Sequence, residues 1–210
     1  MDKNDVGEYL LSGRFADTIY KIGASGEILW RLGGIESSFR LDGFNFSKQH
    51  DARFVSRLGP IETISLFDNA KALHPGVDVP ETSNTSSAIV VEINHDSKDA
   101  KVIHRTSRPD GALTKLRGNY QRLQSGNDFV SWAGNGYITE HDAEGTLLLD
   151  AHFASKRFVT YRAYKFNFTA YPTEPPILRA QVYGATPSTS TTVWFTSWSV
   201  SDPFCDHDVN

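Results

Sequence analysis

An internal repeat narrows the fold of this chain more than any other feature of its sequence. Laying Gly7 on Gly126, an offset of 119 residues, aligns 7–30 with 126–149 without a gap. Ser12 then meets Ser131, Ile19 meets Ile138, Gly26 meets Gly145 and Leu29 meets Leu148. Each copy reads strand, turn, strand, Ala-x-Gly, strand. Apolar and polar residues alternate at period two, and the runs end on Gly, Ala or Ser. No stretch of ten or more residues carries a helical period, so the class is all-β. A third copy lies between the other two: strands at 61–67 and 88–94, a turn at 95–99 and a last strand at 101–105. Its insertion at 69–87, rich in Pro, Ser and Thr, is expected to be an exposed loop. A fourth unit is expected to begin at Tyr161 and to include 193–198, after a Pro/Ser/Thr linker at 186–192.

A small antiparallel sheet cannot bury both faces alone, so repeated sheets stack against one another. Spacings of about 50 to 60 residues suggest a β-propeller, whose blades pack around an axis. The 210 residues hold about three to four blades, and propellers close with about four to eight. The whole chain, 1–210, therefore reads as a propeller fragment. A β-sandwich with an accidental repeat is the other architecture the pattern allows.

Composition removes several function classes. Lys and Arg number 21 against 25 Asp and Glu, with no basic cluster, so nucleic acid is not an expected partner. The charged N-terminus has no apolar run behind it, and no membrane span or signal peptide is expected in the chain as given. One cysteine, Cys205, excludes an intrachain disulfide and multi-cysteine zinc sites. The seven histidines form no metal-binding run, and neither metal nor cofactor is expected. His95, His141 and His152 read as surface residues, and Cys205 as exposed. Sequons at Asn45, Asn84 and Asn167 occur at about chance frequency.

Two polar residues break the scaffold. Arg14 follows Leu10-Leu11-Ser12-Gly13 where the repeat has Ala133, so the fold does not require arginine there. His50, in Gln49-His50-Asp51-Ala52-Arg53-Phe54, sits where an inner strand is expected to start. An imidazole there can act as base or nucleophile and a guanidinium can hold an anion. On the residues alone the plainer reading makes His50 a hydrogen-bonded structural residue and Arg14 an ion-pair partner.

Several blocks together resemble the arylsulfotransferase family, most closely its fungal branch. They are Gly7-x-Tyr9-Leu10-Leu11-Ser12-x-Arg14, Trp30-Arg31-Leu32-Gly33-Gly34, Gln49 to Phe54 and Ile64 to Asn69. Further along come Gly118-Asn119-Tyr120-Gln121, Trp132-Ala133-Gly134 and Tyr161-Arg162-Ala163. The resemblance implies a six-bladed propeller that moves a sulfuryl group from a phenolic sulfate donor to a phenol acceptor without a nucleotide cofactor. It implies that His50 is the nucleophile, becoming a sulfohistidine, and that Arg14 steadies the sulfate oxygens. Arg53, Tyr161 and Arg162 become candidate substrate contacts. The family pattern also carries a second histidine, and an asparagine two residues after it, upstream of the arginine. Its spacing would put both before Met1. An N-terminally shortened member is therefore expected, secreted if it follows its family, and without turnover as written. A catalytically inactive remnant that binds a small molecule or a protein is the alternative.

Overall fold

The computed structural model describes residues 1–71, 82–155, 157–167 and 169, with the backbone of 179–181 and 194–196. The chain divides into two compact units, Met1–Lys165 and Phe166–Asn210. The first unit holds three antiparallel sheets in chain order. The first sheet is β1 (Asp2–Lys3), β2 (Tyr9–Gly13), β3 (Thr18–Ile22) and β4 (Ile28–Gly33), each beside the next. The second comprises β5 (Arg40–Leu41), β6 (His50–Leu58), β7 (Ile61–Asp68), β8 (Ser87–Asn94) and β9 (Asp99–Ser107). Here β6 to β9 follow the same meander, and β5 adds a parallel edge on β9. The third is β10 (Asn119–Arg122), β11 (Asp128–Trp132), β12 (Tyr137–His141) and β13 (Leu147–His152). In the second unit β14 (Arg179–Gln181) pairs antiparallel with β15 (Trp194–Thr196).

The repeat is carried into backbone geometry. Ser12 pairs with Ile19 as Ser131 pairs with Ile138. The ladder slips after Lys21 in the first sheet and after its counterpart Glu140 in the third. Positive φ recurs at matched turns: Gly7 and Gly126 at 85° and 89°, Asp17 and Gly136 at 50° and 59°, Gly26 and Gly145 at 93° and 88°.

The central sheet is buried on both faces, which explains why β7 and β8 are almost continuously apolar. Alternation along β8 sends Ile89, Val91 and Ile93 into a core with Leu10, Ile19, Trp30 and Leu32 of the first sheet. It sends Ala88 and Val90 the other way, against Tyr120, Val130, Trp132 and Tyr137 of the third. Each seam also contains a buried carboxylate. Glu62 accepts from Lys21 Nζ at 2.7 Å, His95 Nε2 at 2.9 Å and Trp30 Nε1 at 3.2 Å. Asp128 accepts from the Tyr120 and Thr106 hydroxyls, both at 2.6 Å, and is bonded to His104. Burial and the neighbouring Asp128 push the Tyr120 phenol well above its ordinary pKa. A buried anion must be satisfied to be tolerated, and these two are satisfied only when adjacent sheets are in register.

Four expectations need correction. His141 is buried, because it lies on the inward face of β12 and closes a chain through Thr139 to the Trp132 indole. His95 is half-buried, tied to Glu62. The ends of the 69–87 insertion are buried: Ser86 Oγ donates to the Asn69 carbonyl and accepts from Thr114 N–H. Residues 161–165 form no strand. Side-chain amides hold that segment instead, Asn119 gripping the Ala163 backbone and Gln121 that of Lys165. The middle of the insertion, the 186–192 linker, Cys205 and most of the expected fourth unit lie outside the described residues.

Glu62→Ala should cost at least about 2 kcal/mol in chemical denaturation, because it takes from the buried Lys21 one of its two carboxylates, Glu8 at 2.8 Å being the other, and leaves the buried Trp30 indole N–H without an acceptor. Glu92→Ala, which breaks an exposed pair with Lys101, should cost no more than about 1 kcal/mol. Equal costs would show that the seam carboxylate does not lock the sheets.

Candidate active site

His50 opens β6 between two residues with left-handed backbone, Lys48 at φ 56° and Asp51 at φ 54°. Neither is glycine, and such positions cost of order 1–3 kcal/mol each, so surrounding contacts must hold them. The β2–β3 turn supplies most of these. Asp17 accepts from Lys48 N–H at 2.7 Å and from its ammonium at 2.9 Å. The buried Gln49 amide donates to the Thr18 carbonyl at 3.0 Å, and Ser12 Oγ donates to the Gln49 carbonyl at 2.9 Å. That turn carries Arg14, so the same bonds that set His50 bring the two segments together. Asp68 supplies the other side: one carboxylate oxygen accepts from Ser47 N–H at 3.0 Å and Ala70 N–H at 2.9 Å.

The imidazole is oriented by Asn69. Asn69 donates both amide hydrogens, to the Thr114 carbonyl at 2.6 Å and the Arg117 carbonyl at 2.9 Å. Its oxygen is therefore turned to His50 Nδ1, 2.7 Å away, and must accept. Nδ1 carries the hydrogen and Nε2 the lone pair. The loop that offers the two carbonyls is pressed against β7 at Gly118. Its φ is 109°, and a Cβ there would stand 2.5 Å from the Phe67 ring. Burial depresses the His50 pKa below its ordinary 6.5, the Asn69 bond opposes this, and the charges of Arg14 and Arg162 lower it further. The ring is thus mostly neutral at pH 7.

The arginines differ in how fully they are engaged. Arg53 is taken up by Asp51 at 2.8 Å, Asp2 at 3.2 Å and the Tyr164 hydroxyl at 3.1 Å. Arg162 reaches Asp51 at 3.3 Å and Tyr164 at 3.2 Å. Arg14 has a buried Nη2 with no hydrogen-bond partner among the described residues. Tyr161 has two guanidinium groups near its ring, those of Arg162 and Arg117, 5.5 and 5.6 Å from its centre. Arg14 and Arg162 therefore both act on His50, Tyr161 adjoins Arg162, and Arg53 is committed to Asp51. Asn69, Asp51 and Arg117 were not among the candidates. In the sequence only its position in the family-like block 64–69 marks Asn69 out.

A hollow of about 650 Å3 lies beside this group, lined by Arg53, Phe54, Tyr120, Arg122 and Tyr164 among others. Neither His50 nor Arg14 lines it. The volume is ample for a small molecule, but the polar convergence is at His50. No three His, Cys, Asp or Glu side chains among the described residues could hold a metal ion.

Burial raises the Asp68 pKa from an ordinary 3.8 to about 6. Between those values the folded state keeps a proton that the unfolded state has lost, so stability falls as pH rises. Relative to Asp68→Asn, the parent chain should lose about 3 kcal/mol between about pH 3 and pH 7. A difference independent of pH would show that folding leaves the Asp68 pKa unchanged.

Comparison with known proteins adds the family. A solved protein of unknown function from Bacteroides caccae is similar at 15% identity and a TM-score of 0.40, over 73% of this chain. The chain spans 44% of that protein's length. No curated protein matches it. The family model for arylsulfotransferases matches residues 1–154, which include all three sheets, Arg14, His50 and Asn69. On that match the chain belongs to the arylsulfotransferase family.

Proposed function

We propose that the chain carries the sulfuryl-accepting half of an aryl sulfate sulfotransferase site, set on successive blades of a β-propeller of six blades. The observation that carries this reading is a half-buried His50, its Nδ1–H held by Asn69, together with Arg14, whose buried Nη2 has no partner among the described residues and whose charge opposes protonation of the imidazole. The sheets support the propeller: their first strands adjoin, with β6 touching both β1 and β10.

The chemistry follows from those atoms. The Nε2 lone pair of His50 attacks the sulfur of an aryl sulfate, and the S–O bond to the aryl group breaks. The phenolate leaves and takes a proton from water. The product is an Nε2-sulfohistidine whose positive ring charge is relieved through Nδ1–H and the Asn69 oxygen. A second phenol then gives its proton to solvent and attacks the same sulfur, and the N–S bonding pair returns to Nε2. Covalent catalysis divides one hard transfer into two easier ones. Arg14 offsets charge on the sulfuryl oxygens as they reorganise. Arg162 and Tyr161 flank the aryl group, while Arg53 serves by fixing Asp51 beside them.

The first half-reaction tests this. Incubation with 4-nitrophenyl sulfate, whose leaving group needs least help, should give a base-stable, acid-labile sulfuryl adduct on His50 by peptide mass spectrometry. His50→Ala should carry none, and Arg14→Ala should slow labelling by about 10²–10³. Only neutral imidazole attacks, so the labelling rate should rise with pH and level off, its midpoint below 6.5. An adduct on another residue, or none on His50, would sink the transfer reading. Aryl sulfate binding without an adduct would favour a binding module.

A further inference from the structure

The group around His50 holds more positive charge than one sulfate ester requires. An aryl sulfate carries a single negative charge, which Arg14 can meet beside a neutral His50. Arg162 and Arg53 are already balanced by Asp51 and Asp2. Arg117 remains. Among the described residues it has no carboxylate within ion-pair distance, and its guanidinium rests 5.6 Å from the centre of the Tyr161 ring. Tyr161 is 63% exposed, and its hydroxyl has no hydrogen-bond partner among those residues. This pair is not remote from the chemistry. The Arg117 carbonyl holds Asn69, and Asn69 holds His50. Arg117 itself is non-glycine at φ 59°, followed by Gly118 packed on Phe67, so its backbone is fixed at this place.

We infer that Arg117 and the Tyr161 hydroxyl form a subsite for a second anionic group on the aromatic ring, so that the preferred substrates are aryl sulfates bearing a carboxylate. The inference rests on the sulfuryl reading of His50 and Arg14. A guanidinium recognises a carboxylate with two parallel N–H bonds, and a phenol hydroxyl adds a third donor. The Tyr161 ring, with two guanidinium groups beside it, offers the substrate's aromatic ring an edge to pack on.

Calorimetric titration of the full chain with 4-carboxyphenyl sulfate and with phenyl sulfate tests this. The carboxylated ligand should bind roughly tenfold tighter. That preference should fall towards one in Arg117→Asn, which keeps a residue tolerant of left-handed backbone, and should weaken in Tyr161→Phe, which removes only the hydroxyl. Arg14→Ala should weaken both ligands and keep the ratio. The preference should also shrink as salt is raised. A ratio near one in the parent chain overturns the subsite, as does a ratio that survives Arg117→Asn. If phenyl sulfate binds in an Arg14-dependent way while the ratio is one, only the subsite fails. If neither ligand binds, the subsite fails too, and labelling of His50 decides separately whether the sulfuryl reading stands.

Discussion

Asn69 has both amide hydrogens committed to the carbonyls of Thr114 and Arg117, which leaves its oxygen for the imidazole of His50. Three segments meet at that side chain: the end of β7, the start of β6 and the loop before β10. Because the loop before β10 belongs to the edge of the third sheet, the bond is correct only when the second and third sheets are docked. The Asp128 node and the Phe67–Trp132 contact, with ring centres 5.5 Å apart, hold that docking. Arg14 arrives from the other side, on a turn of the first sheet fastened through Asp17 and Ser12. The site is therefore a product of the seams, and no single sheet contains it.

Stability is given up around the site and recovered away from it. Lys48, Asp51 and Arg117 hold left-handed backbone without being glycine. Asp68 is buried with one oxygen unpartnered, and Asp51 likewise has a buried oxygen without a partner. Each is a local conflict of the kind that persists where surroundings over-determine it. The apolar cores on either side of the central sheet, with the Glu62 and Asp128 nodes, supply the surroundings. A neutral imidazole follows from the same arrangement, since burial and two nearby guanidinium groups all oppose its protonation.

The fold was largely legible because sheets write period two into a chain, and because Gly7, Gly26, Gly126 and Gly145 mark turns that need positive φ. Arg14 was legible as a departure from the repeat, where Ala133 shows that the scaffold does without it. His50 stood out through the family-like block around it. The part Asn69 plays in orienting it did not, because its partners lie 19, 45 and 48 residues away and no local spacing records them. His141 was misread as surface because a hairpin position says nothing about which neighbour covers it. The segment 161–165 was expected to start a further sheet, but the amides of Asn119 and Gln121 supply its hydrogen bonds, and side-chain mimicry of a ladder leaves no periodic trace.

The central claim is that Asn69 fixes the tautomer of His50 so that Nε2 keeps a free lone pair. Nitrogen-15 NMR of the histidine ring reads this directly. At neutral pH the account predicts a protonated, pyrrole-type Nδ1 and an unprotonated, pyridine-type Nε2 for His50, with the tautomers mixing in Asn69→Ala. A proton found on Nε2, or a tautomer ratio in Asn69→Ala equal to that of the parent chain, would contradict it.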